Sequence, residues 1–261
     1  MKRICLACAV WLGLMWAGPV AAQDDIFSQP VLGFIPKPGW PPSGPVPRLA
    51  DGKPDLSGPW APNALRINNN TDSVVKDIPM QPWAADILKQ RRAVIGKDDP
   101  EGLCLPMGTP RKDPYPWKIV QAPQLFLILY EGNVHSYRQV FLDGRPHDPN
   151  VTETWWGDSI GKWDGDALVV DTVGLNDKAW LDLIGHPRTE KAHIVERFTR
   201  PDRDHMNYEV TIDDPKAFTK PWKNTRTWVL MAKDEEIMEY VCVENNKEVS
   251  EGLIKNNIPK Q

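Results

Sequence analysis

Met206-Asn207-Tyr208-Glu209-Val210-Thr211-Ile212-Asp213 sets Met206, Tyr208, Val210 and Ile212 in strict alternation with Asn207, Glu209, Thr211 and Asp213. Successive side chains of a strand point to opposite faces, so this stretch reads as a β-strand with one buried and one wet face. Pro201-Asp202-Arg203-Asp204, just before it, has turn chemistry. Working outward from this strand, the runs with strand character are 118–131, 134–142, 154–163, 167–173, 192–200, 206–213, 225–231 and 236–243. Glu131-Gly132-Asn133, Asp143-Gly144-Arg145-Pro146, Asp164-Gly165-Asp166 and Lys233-Asp234-Glu235 supply the other turns. Asp164-Gly165-Asp166 is the clearest hairpin, because glycine provides the positive φ that a two-residue turn needs. Segments 174–191 and 214–224 read as short helices or ordered loops. With no helical crossover between the runs, they are expected to close as an all-β, eight-stranded antiparallel up-and-down barrel, which leaves no unpaired edge.

Ahead of the strands, 82–95 is the best helix: Pro82 suits a first-turn position, and Trp83, Ile87, Leu88 and Val94 or Ile95 share a face before Gly96. It is expected to act as a lid or brace. Residues 23–62 are dense in proline, which denies them a regular hydrogen-bond ladder. Leu32, Phe34, Ile35 and Trp40 make this arm apolar enough to wrap over the body. The expected organisation is therefore a signal peptide over 1–22, a proline-rich arm over 23–62, and one barrel domain over 63–261 that includes the helix.

The signal peptide is read from basic Lys2 and Arg3, an apolar stretch from Ile4 to Trp16, and the small-residue site Val20-Ala21-Ala22. Its removal would take the formal charge from −4 to about −6, which argues against nucleic-acid or anionic-membrane partners. The apolar stretch is too short to span a bilayer. A secreted or periplasmic protein is expected. Of four cysteines, only Cys104 and Cys242 lie outside the signal segment. An even pair in an exported chain reads as one disulfide, two buried thiols being the alternative.

Ten tryptophans remain beyond the signal segment, at 40, 60, 83, 117, 155, 156, 163, 180, 222 and 228. Those facing inward would make an aromatic pocket for a small apolar or aromatic molecule, and otherwise they are core. Trp155 and Trp156 fall on opposite faces of their expected strand, so at most one lines the cavity. The densest polar stretch ends in His193-Ile194-Val195-Glu196-Arg197-Phe198. His193 and Glu196 have opposite parity. If Ile194, Glu196 and Phe198 face inward, desolvation would raise the Glu196 carboxyl toward general acid or base use. If His193, Val195 and Arg197 face inward instead, Glu196 is a solvated surface residue. A second group lies at 131–147, where His135 shares parity with Tyr137, and Ser136 with Arg138. Arg145 and His147 beside Glu153 and Asp158 would sit at the barrel mouth. The candidate set is Glu196, His193, Arg145 and His147 for catalysis, with Trp155, Trp156, His135, Arg138, Asp158, Tyr208 and Trp228 for binding. The five histidines show no HxH or HExxH spacing, and phosphate-loop and Gly-x-Ser-x-Gly patterns are missing. No metal or cofactor is expected.

Thr154-Trp155-Trp156-Gly157-Asp158-Ser159-Ile160-Gly161-Lys162-Trp163-Asp164-Gly165-Asp166 and the segment running on to Thr172, together with 175–182 and His193-Ile194-Val195-Glu196-Arg197-Phe198, resemble a group of exported bacterial proteins. The likeness covers the chain from about Asp55 onward and implies export, without carrying over an activity or a site residue. Gly58-Pro59-Trp60 is similar to the Gly-x-Trp triplet of lipocalin and avidin-type (calycin) barrels, in which the tryptophan plugs one end. Three functions compete. An exported enzyme would perform metal-free acid–base chemistry, with Glu196 or His193 moving the proton and Arg145 or Arg138 steadying negative charge. A lipocalin-like carrier would bind a small apolar ligand. A structural protein would have a filled barrel. An enzyme should bury several ionisable groups around one point, and a carrier only one or two polar anchors.

Overall fold

Alternating burial sets the architecture. The computed structural model describes residues 44–62, 77–94, 97–112, 115–132 and 136–244. The expected signal segment, residues 23–43 of the arm, Ile95 and His135 lie outside them. Among the described residues the strands in chain order are β1 (Gly58–Pro62), β2 (Trp117–Ala122), β3 (Leu125–Tyr130), β4 (Ser136–Phe141), β5 (Asp158–Asp164), β6 (Ala167–Val173), β7 (His193–Thr199), β8 (His205–Asp213) and β9 (Trp222–Leu230), with one α-helix, α1 (Pro82–Ala93). They form a closed barrel in sequence order, β1 pairing antiparallel with both β2 and β9.

The barrel is thus nine-stranded and mixed, where eight antiparallel strands were expected. Four differences account for this. Residues 118–131 fold as a hairpin, with Ala122 opposite Leu125 across Pro123-Gln124, because proline within the run interrupts the ladder. The end of the expected arm is β1 itself. Residues 236–243 are not a strand, since the edge of β9 that they would need is occupied by β1. The β4–β5 connection does not reverse direction. After a long loop, β5 meets β4 in parallel at Phe141 and Ile160. The expected Asp-Gly hairpin is present: Asp164 pairs with Ala167 and Gly165 has φ +61°.

Inward rails carry Trp117 and Ile119; Phe126, Ile128 and Tyr130; Leu168 and Val170; Ile194 and Phe198; and Met206, Tyr208, Val210 and Ile212. Edge and tilted aromatic contacts link Trp117 to Trp228 at 4.8 Å, Trp228 to Tyr208 at 4.6 Å, Tyr208 to Phe198 at 5.2 Å and Phe198 to Phe126 at 5.8 Å. α1 braces one end through buried Ala84 and Leu88, beside Phe218, which packs edge-on against Trp222. Trp83 and Val94, expected on its apolar face, are exposed, and the Trp83 indole instead donates to the Lys216 carbonyl. Residues 44–57 dock on the wall: Arg48 pairs with Asp166, and the Arg203 amide donates to the Gly44 carbonyl.

The Cys104–Cys242 disulfide spans 138 residues of sequence, with the Cα atoms 5.5 Å apart. It joins the end of a short 3-10 turn (Pro100–Leu103) to the segment after β9, and it is compatible with an oxidising compartment. Among the described residues, no helix is long and apolar enough to cross a membrane.

Candidate functional site

Strand parity sorts the sequence candidates onto two sides of the barrel wall. Glu196, Arg138, Tyr208 and Trp228 point inward, and Glu196 is 0% exposed. His193, at the odd position, faces out and is half exposed. Of the two arginines expected to steady negative charge, Arg138 lies beside Glu196, whereas Arg145 is exposed and paired with Asp143 at 2.5 Å.

The inner group is built from four elements. Lys112, in the loop before β2, enters the barrel and donates to Glu196 Oε1 at 2.7 Å and to the Tyr208 hydroxyl at 3.1 Å. Its ammonium lies 4.2 Å from the centre of the Tyr208 ring. Tyr208 donates to the same Oε1 at 2.8 Å. Arg138 pairs with Glu196 Oε2 at 2.5 Å. It also donates through Nε to Ser159 at 3.1 Å and through Nη2 to Thr172 at 2.6 Å. Burial by itself would raise the Glu196 carboxyl, but the Arg138 guanidinium and the Lys112 ammonium outweigh it and hold it down at about 2. Glu196 is accordingly a fixed carboxylate, the reverse of the expected elevated acid. Burial, aided by the Glu196 charge, drives the Tyr208 hydroxyl well up.

Within this group Arg138 Nη1 and Glu196 Oε2 have no hydrogen-bond partner, Oε2 facing Arg138 as an ion pair, and on other inward positions Trp117 Nε1, Trp222 Nε1 and Asn224 Nδ2 are likewise buried without one. Tyr130 neighbours the Arg138 guanidinium and stacks at 4.5 Å on half-buried Trp156. Trp155 and Trp156 are not in a strand, so the parity argument does not govern them. Both are half buried, and their carbonyls accept from Thr109. Trp155 also accepts from Arg188, a buried guanidinium that clasps Thr109 and Asn176 as well.

The outer group assembles around Asp171 of β6. His147 places Nδ1 2.8 Å from Asp158 and Nε2 3.1 Å from Asp171, and His193 Nε2 lies 2.8 Å from the same Asp171 oxygen. Arg145, over the Phe141 ring at 3.9 Å, is close enough to Asp158 for their charges to interact. Four sequence candidates, Arg145, His147, Asp158 and His193, thus meet on the outer wall. Among the described residues, no group of three or more His, Cys, Asp or Glu is arranged to hold a metal ion.

Lys112, Ser159, Thr172 and Asp171 were not among the sequence candidates. For Ser159 and Thr172 the signal was available: each is a polar residue on the inward parity of its strand. Lys112 sits in an irregular loop, where no periodicity reveals burial. Comparison of the chain with family models, curated proteins and solved structures found no match. Fold and site together define a closed mixed barrel with a desolvated ion cluster at its centre.

Proposed function

We propose that the protein is an exported small-molecule binder that receives its guest inside the barrel against Lys112, Arg138, Glu196 and Tyr208. The observation that carries this reading is that four buried ionisable side chains converge on one point, the pattern expected of an enzyme, yet are tied to one another with Glu196 held as a carboxylate, which suits them to hold and orient a guest and not to move a proton. Burying such groups is costly, and apolar replacements of the same volume are often as stable or more so, so a chain that keeps them has a use for them. Glu196, pinned as a carboxylate, supports recognition and orientation in place of proton transfer.

The test is native mass spectrometry of the protein exported by its own host. A stoichiometric organic guest, lost in Tyr208→Phe/Trp228→Leu protein, is expected. A guest-free chain whose melting temperature is unmoved by a broad panel of aromatic compounds would refute binding.

A second reading, acid–base catalysis, draws support from the outer group, where the exposed His193 imidazole is hydrogen-bonded to Asp171. A carboxylate in that position orients the ring. On this reading, 4-nitrophenyl esters are turned over, at least tenfold more slowly by Asp171→Asn. Turnover no greater than that of buffer imidazole would dispose of it.

A further inference from the structure

We infer that the outer face of β2, β3 and β4 is the docking surface for this chain's own proline-rich segment, with residues 26–35 lying across it. The inference concerns the outside of the wall and is independent of the guest reading.

The composition of the face gives the first support. Leu125, Leu127 and Leu129 line the outside of β3, and across the ladder Leu129 faces Tyr137, Leu127 faces Val120 and Leu125 faces Phe141. The polar residues on this face are Gln139 and Lys118, and Lys118 is paired with Glu236. The wall of β8 and β9 is the reverse: Asn207 faces Thr227, Glu209 faces Thr225 and Thr211 faces Lys223. Among the described residues, the large apolar strand side chains left exposed are Val120, at 40%, and Tyr137, at 58%, and both belong to the β2–β4 face. Its margins are polar, the Lys118–Glu236 pair on one side and Arg145 over the Phe141 ring on the other. A contiguous apolar patch with such a rim marks a surface that something covers.

Reach gives the second support. The Gly44 carbonyl accepts from the Arg203 amide in the β7–β8 link. Residues 44–57 then cross that end of the barrel, with Arg48 on Asp166 at the β5–β6 turn and the Leu56 amide donating to Gln121 of β2. The β2–β3 turn lies at the same end, because β4 runs parallel to β5 and ends opposite the start of β3. From the β7–β8 link to β3 the wall spans four to five strand spacings, about 20–30 Å. Proline-rich chain advances about 3.1 Å per residue, so counting back from Gly44 places Ile35 at about 28 Å and Ile26 at about 56 Å. Trp40, at about 12 Å, stays near the link.

The segment itself gives the third. Residues 26–35 hold six large apolar side chains and no charge. Pro30 and the following Pro36 deny the segment a regular ladder of its own, so it cannot bury those side chains within itself. Extended proline-rich chain docks through side chains on surfaces that offer aromatic rings, here Tyr137 and Phe141. The competing occupants fit less well. Residues 245–261 interleave Lys247, Glu248, Glu251 and Lys255 with their apolar residues, while the charge on the face, Lys118, is already paired. A second copy would find three strands of six residues, about 300 Å², against the roughly 800 Å² per partner of a stable complex.

The experiment places the photo-crosslinker p-benzoylphenylalanine at exposed Tyr137 in the full-length chain, and at Val120 in a second preparation so that a folding defect at one position does not decide the result. Isotopically light and heavy protein are mixed, irradiated and digested. Adducts within one isotope, joining the probe to residues 26–35, are expected, and they should fall at least tenfold in Phe34→Ser/Ile35→Ser protein. The same probe at Thr225, on the polar wall, should give at least tenfold fewer. Adducts mixing the isotopes would overturn the inference in favour of a second copy, and adducts to residues 245–261 in favour of the other end of the chain. Equal yields from Thr225 would show that the segment has no fixed seat. No adduct from either Tyr137 or Val120 would show that the face stays bare, and would overturn it as well.

Discussion

Glu196 shows how far one side chain's chemistry depends on neighbours that lie far away in the sequence. Its parity made an inward position one of two open readings, and desolvation alone would have made it a poised acid. Lys112 and Arg138, 84 residues upstream and on a separate strand respectively, reverse that outcome. Glu196→Gln should therefore strand two buried cations and cost about 3–5 kcal/mol. In a double-mutant cycle, adding Lys112→Met should recover part of the loss, and strictly additive losses would show that the pair is not coupled. The native carboxyl binds its proton less tightly than the unfolded one, so the unfolded state takes up protons first on acidification. The contribution is complete above about pH 4.5 and is lost as the pH falls towards 2. A urea-melt series across that window should show it, and should be flatter in Glu196→Gln. Glu101 runs the other way. Burial raises it to about 7, against the pull of Arg111 and with help from Asp99, because one guanidinium serves both carboxylates. Native Glu101 keeps a proton that the unfolded chain has lost, so its effect on stability declines as the pH rises from about 4.5 to 7. Glu101→Gln should thus gain on the wild type through that interval, and parallel melting curves would count against it.

Among the elements, those legible from the chain were the ones in which one face is wet. β8 alternates cleanly, and its burial follows the pattern. The β5–β6 hairpin was legible because Asp164-Gly165 carries its own turn geometry. β3 reads Leu-Phe-Leu-Ile-Leu-Tyr, apolar on both faces, so nothing in its pattern separated it from β2 except Pro123. β1 was hidden in a proline-rich stretch, since Pro59 and Pro62 disguise a short strand that still pairs on both sides. The cysteine pairing was legible from compartment logic, although the segment carrying Cys242 is not the expected strand. That segment is held by the disulfide, by the Glu131 carboxylate accepting from the Met238 amide, and by contact between the Tyr115 and Tyr240 rings at 5.6 Å. Replacing both cysteines with serine removes a crosslink over 138 residues and should cost about 2–5 kcal/mol. Hydrogen exchange is expected to quicken first over 231–244, with β6 to β8 following only at global unfolding. Simultaneous quickening throughout would mean that the segment is part of the barrel's cooperative unit.

At the scale of the molecule, closure is uneven. Most neighbouring strands pair over six or more residues, but β4 and β5 meet at Phe141 and Ile160 alone. This seam is bridged from inside, because Arg138 of β4 reaches Ser159 of β5, Thr172 of β6 and Glu196 of β7. From the side it is closed by packing against Gly161, where an added Cβ would lie 2.6 Å from Leu142 Cδ2 and 3.0 Å from Val140 Cγ1. The same guanidinium that organises the candidate site therefore substitutes for the backbone hydrogen bonds missing from the wall, and the two roles are coupled. A guest that recruits Arg138 should tighten the seam, and loss of Arg138 should loosen it before the remaining pairs give way. Gly161→Ala tests this without touching the charged groups, since its Cβ would crowd the Leu142 and Val140 side chains that pack across the seam. It should speed amide exchange in β4 and β5 at least tenfold while exchange in β7, β8 and β9 keeps the wild-type rate. A saturating guest should restore slow exchange only where Arg138 is present. Uniform acceleration around the barrel would show instead that the parallel contact is as strong as its neighbours, and that the ion cluster serves the interior without holding the wall.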